Sequence, residues 1–207
     1  MTEHPSQRLR LPFTRQRLLC GYKTPLCRRL YGYWHTGLDL AAAGRERGVC
    51  AAGEGVVVAA GEDSLYGFGV AVLYRGCVSV SGERRDLLAR YFHLSAASVQ
   101  TGDVVSAGDV LGREGACGTG EMHLHLELDA DLSCPCRSPQ IGAGHSFWLP
   151  ADADTTVDPA LWLFCGAGQR IDAADTDPAW LGETALRLAR ASAACYNGDT
   201  TKREAQP

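Results

Sequence analysis

Apolar and polar positions alternate most clearly at Met122-His123-Leu124-His125-Leu126-Glu127-Leu128. Successive side chains of a β-strand leave on opposite faces. The segment therefore predicts a strand with Leu124, Leu126 and Leu128 in a core. His123, His125 and Glu127 then share the other face, neighbours about 6–7 Å apart along the strand. Elsewhere the pattern is of short apolar runs broken by glycine, which reads as strands joined by tight turns. Such runs are Tyr33–Leu40, Gly48–Gly61, Gly69–Arg75 and Leu87–Leu94, with residues 76–86 as a hairpin loop. Two Gly-Asp-Val turns, at 102 and 108, predict short β-pieces folding back, and Gly115–Gly120 is a glycine-rich turn leading into the strand at 122.

Helical patterning is nearly absent before residue 178. Residues 18–34 carry Gly21, Pro25 and Gly32 and read as an irregular lead-in. Asp177 is an N-cap candidate with Pro178 at the first helical position, so Trp180–Tyr196 is predicted as a helix that Asn197-Gly198 ends. The expected architecture is mainly β: an antiparallel sheet with a short C-terminal helix. The expected divisions are a flexible basic arm over 1–17, a β-domain over 18–170, and an acidic linker, helix and tail over 171–207. Residues 129–150 lack a clear period and read as a surface insertion. Val157–Leu163 closes the domain, and covering the domain is the expected role of the C-terminal helix.

Length and charge narrow the function. At 207 residues the chain suits one domain with trimmings. A formal charge of −4 gives no reason to expect nucleic acid. Residues 1–30 hold seven Lys/Arg against one Glu, a basic start read as a solvated arm. No run approaches the ~20 apolar residues of a membrane span. Residues 1–17 lack the apolar stretch of a signal peptide, so no export signal is expected there. Nine cysteines, an odd number, do not form a disulfide framework, and mostly reduced, buried thiols are expected.

The candidate chemistry lies in the histidines. His35 and Asp39 form H-x-x-x-D around Gly37; on a flat strand they would stand about 13 Å apart, and a bend or bulge at Gly37 would bring them together. His123 and His125 form H-x-H, and His93 sits in Arg90-Tyr91-Phe92-His93-Leu94. A zinc hydrolase needs three protein ligands, an open position for water, and groups that move protons. The chain supplies enough residues for both tasks, with Glu127 as a possible orienter of a ligand.

His35-x-x-x-Asp39, Tyr91-x-His93-Leu94 and His123-Leu124-His125, in that order, are similar to the M23 metallopeptidase family, the lysostaphin-type endopeptidases. Gly37–Ala42, Val49…Gly55-Val56-Val57, Gly102-Asp103-x-Val105, Gly108…Leu111-Gly112 and Gly115…Gly118-Thr119-Gly120 extend the resemblance over roughly residues 30–165. The resemblance implies a sheet that floors an open groove. It implies Zn²⁺ held by His35, Asp39 and His125, with His93 and His123 catalytic, and hydrolysis of peptide bonds in peptidoglycan cross-bridges or stem peptides. His93 would either stabilise the oxyanion or orient the water, and its assignment is exchangeable with that of His123. A monomer acting at the bacterial cell wall is expected, by release on lysis or by non-classical export. The chain departs from the family pattern in its missing secretion signal, its insertion at 129–150, and Cys117, read as a small apolar residue in the glycine turn.

Three other function classes fit the residues less well. A non-catalytic, zinc-binding regulator or wall-binding module would keep the fold and lose ligands, whereas here none of the five groups is lost. His125-Leu126-Glu127 with Pro135-Cys136 suggests a base deaminase, but the second thiol of P-C-x-x-C is absent. No Lys stands at a hairpin tip to make the Gly-Asp-Val turns a biotin or lipoate carrier.

Overall fold

Leu124, Leu126 and Leu128 are fully buried, together with Leu38 and Leu40 on the neighbouring strand. The fold grows outward from this pair of strands. The computed structural model describes residues 4–63, 67–133, 154–172 and 176–203. In chain order the elements begin with β1 (Leu9–Arg10), β2 (Arg15–Cys20), α1 (Pro25–Tyr31), β3 (Gly37–Ala42), β4 (Gly48–Cys50) and β5 (Gly55–Asp63). They continue with β6 (Gly67–Val78), β7 (Arg84–Ala97), β8 (Val104–Val105), β9 (Val110–Glu114) and β10 (Leu124–Asp129). The chain ends with β11 (Thr156–Val157), a 3₁₀ turn (Pro159–Leu161), β12 (Leu163–Phe164), β13 (Arg170–Asp172) and α2 (Pro178–Arg203).

Among the described residues, one 11-stranded sheet runs β13-β2-β3-β10-β7-β6-β5-β8, with β11 on β10 and β9 bridging β4 and β7. Its pairings are antiparallel except β13 on β2. The protein is thus mainly β, as its alternation predicts. β10 lies between β3 and β7, with His125 opposite both Asp39 and Phe92, and Glu127 opposite both Gly37 and Arg90. These registers decide which functional groups meet.

Two polar clusters are built into the interior. Arg90 donates to Glu127 and, at 2.8 Å, to Asp129, and all three side chains are fully buried. Deep burial is tolerable for these charges because opposite charges face one another across the strand pair. The hydroxyls of Tyr74 and Tyr91 lie 2.8 Å apart, and both accept from the Ala52 backbone N–H. Each buried phenol therefore has a polar partner.

Three segments differ from their sequence expectation. Residues 9–17 are not a free arm: Leu9, Leu11 and Phe13 are buried, β1 pairs with β12, and β2 is a full strand with alternate residues inside. The basic residues that suggested solvation occupy the outward positions of β2, while Gln16 and Leu18 point in. Residues 18–34 contain a helix. Thr24 caps α1 by accepting from Cys27 N–H at 3.4 Å, Pro25 opens it, and Gly32 closes it in the left-handed conformation at φ 80°. Asp177 caps α2 as expected, accepting from Ala179 N–H at 2.9 Å, but the helix runs past Asn197-Gly198 to Arg203. Nothing in the described residues explains that continuation. α2 is interrupted at Gly182, φ 69°, and buries Leu181, Ala185, Leu188 and Ala189. Residues 134–150 of the expected insertion, His145 included, lie outside the described residues.

Candidate metal centre

The three residues expected to bind metal converge. His35 Nε2 lies 3.0 Å from Asp39 Oδ1 and 3.0 Å from His125 Nδ1, and His125 Nδ1 is 3.0 Å from Asp39 Oδ1. His35 lies in the irregular segment just before β3, and β3 keeps a regular register with β10 from Gly37 to Leu40, so no bulge at Gly37 brings His35 to Asp39. The glycine matters for space. A Cβ at residue 37 would stand 2.5 Å from Leu126 O and 2.8 Å from His125 Nε2. The absent side chain leaves room for the His125 ring.

Backbone carbonyls fix the imidazoles. His35 Nδ1–H donates to Gly21 O at 2.8 Å, His93 Nδ1–H to Cys117 O at 2.8 Å, and His123 Nδ1–H to Glu121 O at 2.9 Å. A carbonyl only accepts, so in each neutral ring Nε2 is left with its lone pair. His125 is held the other way round. Its Nδ1 faces Asp39 and His35, and its Nε2 lies 3.9 Å from Glu127 Oε2, an electrostatic neighbour beyond hydrogen-bond length. Glu127 is itself locked by Arg90 and by Thr36, whose hydroxyl donates to it at 2.6 Å.

His123 and His93 stand beside these three. His123 Nε2 is 3.7 Å from Asp39 Oδ1, and its ring centroid is 4.9 Å from that of His93. His93 sits at φ 64° inside β7, an uncommon conformation for a non-glycine residue. The β6–β7 register slips between Phe68/Val70 at this point, so the strand bulges and turns His93 toward His123.

Charge at the site favours a cation. Burial pushes Asp39 up, but His35 and His125 outweigh it and hold the carboxyl well below the usual range. Burial lowers His125, and Asp39 and Glu127 more than offset it, bringing the ring up to about 9. A proton thus occupies the point where two imidazoles and a carboxylate meet. Four ligands at the zinc–nitrogen distance of about 2.0–2.1 Å stand about 3.3 Å apart in a tetrahedron. The 3.0 Å spacings of the three donors are within a few tenths of that, and two imidazoles with one carboxylate are zinc ligands by type, so the residues fit the metal. His93 is pushed down to about 4, first by burial and then by His125 and His123.

Some participants were not foreseen from the sequence. Thr36 and the carbonyls of Gly21, Cys117 and Glu121 orient the site. Cys117 is exposed rather than packed as a small apolar residue, and its carbonyl, not its thiol, contributes. Cys20 pairs directly with Asp39 across β2 and β3, and one donor atom each of Cys20, His35 and Asp39 lies within 4.8 Å of the other two. The neighbouring Cys27 and burial raise the Cys20 thiol, and Cys20 pushes Cys27 down to about 6 against the opposing effect of burial.

Residues 33–133 match the model of peptidase family M23. This segment belongs to peptidase family M23. The matched span contains His35, Asp39, His93, His123 and His125. No relative among curated protein sequences matches the chain. Solved structures similar to this protein include a zinc containing peptidase from Vibrio cholerae, at 22% identity over 59% of this chain and 37% of that one, TM-score 0.46. The chain therefore spans little more than a third of that protein's length. Another is from the SpoIIQ–SpoIIIAH pore forming complex, at 23% identity over 61% of this chain and 86% of that one, TM-score 0.50. A third is the catalytic domain of a mutant of the prophage-encoded M23 protein EnpA from Enterococcus faecalis, at 29% identity over 56% and 81%, TM-score 0.45. Among the described residues, no helix is long and apolar enough to cross a membrane.

Proposed function

We propose that the protein is a zinc-dependent endopeptidase that hydrolyses peptide bonds of bacterial peptidoglycan, in cross-bridges or stem peptides. The observation that carries this reading is the meeting of His35, Asp39 and His125 at mutual distances of 3.0 Å, with His123 and His93 beside them. His35 Nε2, Asp39 Oδ1 and His125 Nδ1 would hold Zn²⁺. Zinc bound there lowers the pKa of a water and polarises a carbonyl.

The chain's own groups supply the proton traffic. His123 presents the Nε2 lone pair toward the centre because its Nδ1–H is spent on Glu121 O. It takes a proton from the attacking water and delivers it to the leaving amine. His93 presents Nε2 in the same way and stays neutral through the working pH range, since burial lowers it to about 4. A neutral Nε2 accepts a hydrogen bond, so His93 orients the water rather than donating to an oxyanion. Glu127 and Gly21 O keep the two ligand imidazoles aimed.

The reading is tested by digesting peptidoglycan of several cross-bridge types with the zinc-loaded protein and identifying new termini by mass spectrometry. New amino termini within cross-bridges or stem peptides are expected. Intact peptides in every preparation would overturn the assignment.

A further inference from the structure

One short turn holds His35 by both its ring and its backbone. The ring Nδ1–H donates to Gly21 O at 2.8 Å, and the His35 carbonyl accepts from Lys23 N–H at 2.6 Å. Lys23 sits at φ 45°, an uncommon conformation for a residue with a side chain, which persists only where the surroundings hold it. The start of α2 supplies that hold. Gly21 N–H donates to Trp180 O at 2.8 Å, and a Cβ at residue 21 would stand 1.8 Å from Leu181 O. Turn and helix therefore meet backbone to backbone, at a separation that a side chain would forbid. Gly21 thus carries two hydrogen bonds in series, one from the helix and one to a metal ligand. Immediately after Leu181, α2 is interrupted at Gly182, whose φ 69° and ψ 173° are essentially confined to glycine. Those two dihedrals set the direction of the first turn relative to the rest of the helix.

We propose that the first turn of α2 is a positioning element of the metal centre: it seats Gly21, and Gly21 aims the His35 imidazole. The inference rests on the zinc reading above. Asp39 and His125 are fixed by the register of β3 and β10, whereas His35 lies ahead of β3, outside those pairings. It needs a support of another kind, because a ligand that loses its orienting partner loses metal affinity. That support comes from residues 21–23 and from α2, both outside the span 33–133 that matches the family model. The C-terminal helix therefore does more than cover the domain. If it only covered, the body of the helix would matter to the metal as much as its first turn.

The test measures zinc affinity of the full chain by chelator competition, alongside melting of the metal-free protein. Gly21→Ala drives a Cβ against Leu181 O. Gly182→Ala strains the first turn through its dihedrals, since the new Cβ would meet Thr24 Cγ2 at an ordinary 3.5 Å. Each should weaken zinc binding about 10–100-fold. Leu188→Ala, which loosens the buried body of the same helix, should lower the melting temperature and leave zinc affinity within about threefold of wild type. Nitrogen-15 NMR of the imidazoles gives a second readout. The His35 Nδ1–H signal should shift and exchange faster in both glycine variants, with those of His93 and His123 unmoved. Where Gly21→Ala does not fold, Gly182→Ala decides. Wild-type zinc affinity with an unmoved His35 signal in a folded glycine variant, or an equal loss of affinity in Leu188→Ala, would overturn the inference while leaving the three-ligand centre intact. Absence of zinc from the wild type would overturn both.

Discussion

Gly37→Ala isolates the steric argument for the centre. No left-handed φ constrains residue 37, so a backbone argument alone predicts that alanine stabilises the protein by about 0.4–1 kcal/mol through the unfolded chain. The surroundings predict the opposite. The new Cβ would meet Leu126 O at 2.5 Å and His125 Nε2 at 2.8 Å, where ordinary contact begins at 3.4 Å. Relieving the second contact alone moves the His125 ring by about 0.6 Å, several times the roughly 0.2 Å tolerance of a metal–ligand distance. The ring cannot yield freely, because Asp39 meets its Nδ1 at 3.0 Å and the buried Glu127 carboxylate lies 3.9 Å from its Nε2. Zinc affinity should fall about 10–100-fold, as it does when a ligand loses its orienting partner. Competition with a chromogenic chelator measures that loss, and thermal melting of the metal-free protein measures the fold separately. A variant that binds zinc within threefold of wild type and melts higher when metal-free would refute the reasoning.

Three further outcomes follow from named contacts. Arg90→Leu leaves Glu127 and Asp129 buried without their shared cation and should cost about 3–5 kcal/mol in urea unfolding; a loss below about 1 kcal/mol would contradict the buried network. His125 is raised to about 9, so the metal-free protein holds a proton there below that pH, and zinc must displace it. Affinity should therefore rise about tenfold per pH unit below pH 9 and level off above it, as chelator competition across a pH series would reveal. Thr24→Ala removes the α1 cap and should cost about 1 kcal/mol in denaturant unfolding, whereas an unchanged midpoint would deny the cap any energetic role.

Much of the site was legible because its residues lie on regular strands. The alternation at 122–128 placed three leucines in the core and three polar groups on the opposite face, and burial of Leu124, Leu126 and Leu128 agrees. The closure of His35 onto Asp39 was foreseen, but not its form: His35 comes from the irregular segment before β3, and Gly37 supplies room for a ring on another strand. β2 was hidden by its arginines, which look solvated when counted and alternate when folded. α1 carried its signals openly in Thr24, Pro25 and Gly32, yet seven residues are too few to show a period. Cys20 had no local signal. Its place beside Asp39 depends on a strand register 19 residues away, which hydropathy patterns do not encode.

The division of labour on the strand at 122–128 is tested most directly by measuring bound zinc and peptidoglycan turnover together in two variants. His123→Ala should retain one zinc per chain and lose turnover, because its Nε2 moves protons and does not hold the metal. His125→Ala should lose the zinc itself. Turnover by His123→Ala, or full zinc content in His125→Ala, would contradict the account.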